Sequence, residues 1–152
     1  MNYPARVYLV RHGKAEREGE GGDSTRRLTQ EGRVRFFTLV ANLARRLDLV
    51  RIVTSPFARA RDTAEILAAA TGAPVQGMDE LAAGRSTGRE ILALARRVGP
   101  GVALVGHNPE MAEAIALVAG HEERVKPGTV AALDLEKNSS ALAWLEAPER
   151  PD

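Results

Sequence analysis

A chain of 152 residues with 21 Lys and Arg against 20 Asp and Glu, 44% hydrophobic and 27% charged, has the balance of one globular domain around a single core. A formal charge of +1 is too small for a phosphate-backbone binder held by bulk electrostatics, and 4% aromatic residues are too few for base-stacking platforms, so nucleic acid is not an expected partner. The absence of cysteine excludes disulfides, thiolate nucleophiles and sulfur-ligated zinc.

In the opening MNYPARVYLV the apolar run is too short for a signal segment, and no stretch approaches membrane-spanning length; the expectation is a soluble cytoplasmic protein without a membrane partner. Arg6 to Val10 then reads as a short buried strand running into a charged, glycine-rich segment, Gly13 to Leu28, which is either a lid over a site or a solvated loop. From Thr29, a plausible N-cap, Phe36, Val40, Leu43 and Leu47 recur on one helical face. LVRIVTSP is a second strand ended by Pro56, and a helix with Phe57, Ala60, Ala64 and Leu67 on one side runs to a stop at Gly72.

APVQGM is a weak third strand. Thr87 to Glu90 has capping-box spacing and opens a helix through Ile91, Leu94 and Val98. VALVGHNPEM repeats the passage from strand to helix, with Asn108 as N-cap, Pro109 in the first turn and Gly120 as the stop. TVAALDL and ALAWLE form a C-terminal hairpin, and residues 148–152 a frayed tail. The expected fold is one α/β domain over residues 1–152: a three-layer sandwich with a mostly parallel sheet, helices on both faces and an antiparallel edge hairpin.

Ligands of parallel α/β sheets bind beyond the carboxyl ends of the strands. The first strand delivers Arg11 and His12 there, the second Thr54, Ser55 and, one turn on, Arg59; Asp79 and Glu80 follow the third, and His107 and Asn108 follow VALVG. Each has a plainer explanation alone. Arg59 could pair with Asp62 and Glu65 on a helix surface, and His107 could bond a neighbouring carbonyl. Together, however, two arginines and two imidazoles on one edge repel one another unless an anion lies between them. A phosphoryl group suits the arginine fork, and the positive end of the helix after Pro109 would face it.

Other phosphate chemistries lack their fingerprints: no G-x-x-x-x-G-K-[ST], no G-x-G-x-x-G and no metal-ligand pattern, so neither metal nor cofactor is expected. The strongest nucleophile left is an imidazole.

VRHGKAE at 10–16, RRLTQEG at 26–32, SPFARARDTAE at 55–65, DEL at 79–81 and LVGHNP at 104–109 together resemble the histidine phosphatase, or phosphoglycerate mutase-like, superfamily, closest in type to its short bacterial phosphohistidine phosphatases. The resemblance implies that His12 is the nucleophile and becomes a phosphohistidine, that Arg11 and Arg59 bind the phosphoryl oxygens, and that His107 completes the pocket. It also places Glu80 where larger members carry a proton donor and Arg27 where it would touch substrate, with Gly13, Ser55 and Asn108 lining the phosphate site. The expected reaction is metal-independent hydrolysis of phosphohistidine on a protein such as a phospho-transfer domain, in signal transduction. A broad phosphomonoesterase for small phosphorylated metabolites and a non-catalytic phosphate-binding module are the alternatives.

Overall fold

The computed structural model describes residues 6–149. Its order is β1 (Arg6–Arg11), α1 (Gln30–Leu43), β2 (Arg51–Thr54), α2 (Ala58–Thr71), β3 (Val75–Gly77), α3 (Gly88–Val98), β4 (Val102–Gly106), α4 (Glu110–Ala119), β5 (Val130–Leu135) and β6 (Ser140–Glu146). One six-stranded sheet runs β3-β2-β4-β1-β5-β6. The first four strands in that order are parallel, and β5 and β6 are antiparallel, so the expected α/β sandwich is the fold observed.

Alternation along β1 sorts the core into two layers, because successive side chains leave a strand on opposite faces. Tyr8 and Val10 pack with Phe36 and Val40 of α1 and Ala60, Ala64 and Leu67 of α2. Val7 and Leu9 pack with Ile91 and Leu94 of α3 and Met111 and Ile115 of α4. Phe36 has no exposed surface, and burying such a ring contributes roughly 1.5–3 kcal/mol.

Local chemistry sets the helix ends. Thr29 accepts from Gly32 N at the start of α1, and Thr87 with Glu90 closes both arms of a capping box at α3. α2 and α4 stop at Gly72 and Gly120, whose φ values of 78° and 83° lie in the left-handed region that favours glycine. At α4 the N-cap is Pro109 rather than the expected Asn108, which stands one residue earlier and still serves the first turn, its Oδ1 accepting from Ala112 N.

Two expectations change. Pro148 packs where a side chain on Gly128 would stand, and Glu149 O accepts from Arg35 Nε, so 148 and 149 are held rather than frayed; the rest of that tail, 150–152, and the first five residues lie outside the described residues. The segment after Gly13 is a folded strap. It is pinned by a bridge between Ala15 and Leu28 and carries a short 3-10 turn at Asp23–Thr25. No helix among the described residues is long and apolar enough to cross a membrane.

Candidate active site

β1 and β4 run side by side, so their carboxyl ends bring Arg11, His12 and His107 to one place: Arg11 is in register with Gly106, and His12 N donates to Gly106 O. β2 ends beside them, with Ser55 N donating to Val105 O, and the first turn of α2 adds Arg59. The His12 and His107 rings meet edge to face with centroids 5.1 Å apart, and Phe57 lies against the other side of His107 at the same separation. Arg11, His12, Arg59, His107 and Ser55 are thus one cluster.

Hydrogen bonds settle which nitrogen of His12 is free. Nδ1 lies 2.7 Å from the carbonyl of Gly13, which can only accept, so Nδ1 carries the proton. Nε2 keeps its lone pair and accepts a 3.3 Å bond from Arg59 Nε. Gly13 is itself fixed by its N–H, which donates to Thr63 Oγ1, and Thr63 in turn donates to Arg59 O. Gly13 has no positive φ, and a methyl there would touch Leu28 at 3.4 Å; its contribution is its two peptide groups rather than room for a ligand.

His107 is oriented by the fully buried Ser55. Ser55 Oγ accepts from Phe57 N, and its O–H meets no acceptor among the described residues other than His107 Nε2 at 2.8 Å; donating there satisfies the hydroxyl and puts the ring proton on Nδ1. That Nδ1 is buried without a partner, and so is Arg11 Nε, while Arg11 Nη1 donates to Val125 O. Two buried, unpaired donors in the cluster that holds the unprotonated His12 Nε2 suit an anion.

The cluster holds both imidazoles neutral. Burial, with the nearby charges of Arg59 and Arg11, pushes His12 down to about 4 despite the opposing bond to Gly13 O. Burial first, then His12 and Arg59, push His107 down to about 3. The unfolded chain, with histidines near 6.5, therefore takes up protons before the folded one does, and stability falls as pH drops from about 6.5 towards 4 for His12 and 3 for His107. In a titration followed by imidazole NMR, His12 and His107 should both stay neutral at pH 6. Ordinary titration of His12 near 6.5 would contradict this electrostatic picture.

Several expectations land elsewhere. Glu80 is exposed, its carboxylate 3.7 Å from Arg97 Nη2, and it makes no contact with the cluster. Asn108 donates to Val125 O and serves the first turn of α4, so it braces the site from behind. The first-turn amides of α4 are already accepted by Asn108 Oδ1 and His107 O, which leaves little of that helix end to offer an anion. Arg27 reaches Asp62, not the cluster.

Asp62 does not take up the plainer alternative raised for Arg59. Instead of a surface pair with Arg59, Asp62 is 2% exposed and takes Arg27, Arg33 and the backbone N–H of Leu28. It clamps the strap to α2 and α1. The strap then delivers Asp23, unnoticed in the sequence: its carbonyl accepts from Arg59 Nη1 at 2.8 Å and its carboxylate from Nη2 at 3.2 Å. The Arg26 side chain, then Arg59, hold the Asp23 carboxyl below the usual range, so it is charged. Thr63, one turn beyond Arg59, is a further residue of the site that was not singled out from the sequence.

Residues 7–113 match the model of the histidine phosphatase superfamily, branch 1. The chain belongs to that superfamily. This phosphatase is 40% identical to an uncharacterized protein of Picosynechococcus sp., over 84% of its own chain and 83% of the relative. Among solved structures, its fold is similar to that of the Agrobacterium tumefaciens protein assigned as the phosphohistidine phosphatase SixA, with a TM-score of 0.84, 28% identity and coverage of 97% and 100% of the two chains. It is also similar to a protein histidine phosphatase SixA complexed with tungstate, with a TM-score of 0.81, 22% identity and coverage of 94% and 97%. At that identity, the second likeness is one of fold. RHG, SPFARARDT and GHNP of the phosphatase all lie inside the matched residues, and β5 and β6 lie beyond them.

Proposed function

We propose that this phosphatase hydrolyses phosphohistidine on a protein, through a phosphoryl group carried on Nε2 of His12. The observation that carries the proposal is the pair of buried, unpaired donors, Arg11 Nε and His107 Nδ1, in the same cluster as that lone pair. A phosphoryl oxygen satisfies each of them, and Arg59 exchanges its bonds to His12 and Asp23 for bonds to the same group.

The steps follow from these positions. His12 Nε2 attacks phosphorus in line; a bond from Nε2 to phosphorus forms and the one to the substrate imidazole breaks, with the leaving ring neutral when its other nitrogen holds a proton. Gly13 O steadies the cation that then builds on the His12 ring, through the Nδ1 proton. A water oxygen next bonds to phosphorus, the bond to Nε2 breaks, and inorganic phosphate leaves with a proton released to solvent. Arg11, Arg59 and His107 stabilise the equatorial oxygens in both steps.

The leaving group favours phosphohistidine over an ester. An alkoxide needs a proton, yet Glu80 lies against Arg97 away from the cluster and Asp23 is held as a carboxylate, so neither is placed to supply one. An imidazole leaves without such help. Measured side by side, kcat/KM for a phosphohistidine protein should exceed that for a phosphoserine peptide by about a hundredfold or more; equal values would overturn the assignment and favour a general phosphomonoesterase.

Thr63 positions the nucleophile through Gly13. Thr63→Val should lower kcat by up to about tenfold, the value of one buried hydrogen bond, with KM little changed. Thr63→Ser should restore it. A valine variant with full activity would remove Thr63 from the account.

A further inference from the structure

Beside the cluster lies a second concavity, of about 350 Å³, that shares Arg11 and Gly13 with it but is not lined by His12, Arg59 or His107. Its walls carry five cations: Arg11, Lys14, Arg35, Arg124 and Lys126. Against them stands one carboxylate, Glu31, which pairs with Lys14 at 2.8 Å and Arg35 at 3.3 Å. Arg124 and Lys126 have no ion-pair partner among the described residues, although the whole chain is almost neutral. They flank Val125, whose carbonyl holds both Arg11 Nη1 and Asn108 Nδ2, so the free cations are mounted on the segment that braces the phosphoryl site.

Such a local excess of positive charge on a nearly neutral protein is costly unless a ligand compensates it, and no aromatic ring that would suit a nucleobase lines the walls. We infer that this concavity is a subsite for acidic side chains of the phosphoprotein, binding carboxylates next to the phosphorylated residue. The inference rests on the protein-substrate reading above and extends it, since it states which proteins qualify: those with an acidic surface beside their phosphohistidine. Arg11 joins the two sites, belonging to the cluster and lining the concavity while its Nη1 is held by Val125 O. The strap contributes Lys14 and the segment before β5 contributes Arg124 and Lys126, so the acidic stretch would lie across both.

The test uses a capped tetraglutamate peptide, a tetralysine control, inorganic phosphate and the variants Arg124→Glu/Lys126→Glu and Arg124→Gln/Lys126→Gln. Calorimetry at low ionic strength should detect the glutamate peptide and not the lysine one, with affinity falling about tenfold or more when salt is raised to about 0.3 M. Either double variant should weaken that binding by about tenfold or more, and should raise KM for an acidic phosphohistidine protein about fivefold more than KM for p-nitrophenyl phosphate. Absence of peptide binding, binding indifferent to both variants, or equal changes in the two KM values would overturn the subsite. So would phosphate, rather than the peptide, perturbing Arg124 and Lys126, which would mark a second phosphate site. Peptide binding with no turnover of any phosphohistidine protein would instead sink the protein-substrate reading and leave the acidic subsite standing.

Discussion

His12→Ala should reduce turnover by roughly four orders of magnitude or more while leaving the fold and most of the phosphate affinity in place. The reasoning separates the two functions of the cluster. Anion binding is distributed over Arg11, Arg59 and His107, whereas the lone pair that bonds to phosphorus belongs to His12 Nε2 alone. No cysteine exists to replace it, and the Ser55 hydroxyl in the cluster is occupied by Phe57 N and His107. After rapid quenching with labelled substrate, wild-type protein should therefore hold an acid-labile, base-stable label that the variant lacks. Thermal melting of both proteins separates this loss from unfolding. A variant that kept a tenth of the activity would remove the nucleophile from the account.

Arg59→Lys should cost roughly two to three orders of magnitude in kcat/KM, and Arg59→Ala no less. Arg59 is 5% exposed and spends all three guanidinium nitrogens, Nε on His12 and Nη1 and Nη2 on Asp23. Lysine brings the charge but cannot present the planar fork, so it would lose the bond that caps Nε2 and one of the two to the strap. The loss should fall on kcat as well as KM, because the same donors face the oxygens that gain charge as phosphorus is transferred. An Arg59→Lys variant within tenfold of wild type would show that charge alone suffices there and that the fork geometry is incidental.

Much of the fold was legible because local chemistry and long-range packing agree. Thr29, the Thr87–Glu90 box, Gly72 and Gly120 mark helix ends by themselves, and the periodic face Phe36, Val40, Leu43 is the face that is buried. The clustering of Arg11, His12, Arg59 and His107 was likewise readable, since strand order sends three loops to one edge. What stayed hidden depends on contacts far apart in sequence. Asp62 could equally have bonded Arg59, three residues away; the burial of that face of α2 under the strap decides for Arg27 and Arg33. Asp23 sits in a segment without periodicity, so nothing local announced that it reaches Arg59. Glu80 followed a strand end as a site acid should, but its 3-10 turn leaves it on the surface against Arg97.

The strap deserves weight in the energetics of binding. An incoming phosphoryl group competes with the charged Asp23 carboxylate for Arg59, so the resting site is already occupied by an internal anion. Asp62 keeps that strap in place from the other side, through the only buried carboxylate in contact with it among the described residues.

The central claim is that phosphorus bonds to Nε2 of His12, because Gly13 O holds the proton on Nδ1. Trapping the labelled phosphoenzyme, digesting it in alkali and locating the phosphoryl group by phosphorus NMR and tandem mass spectrometry tests this directly. The account predicts a single phosphohistidine, substituted on Nε2, at position 12. A phosphoryl group on Nδ1, on any other residue, or continued turnover with no phosphoenzyme at all would contradict it.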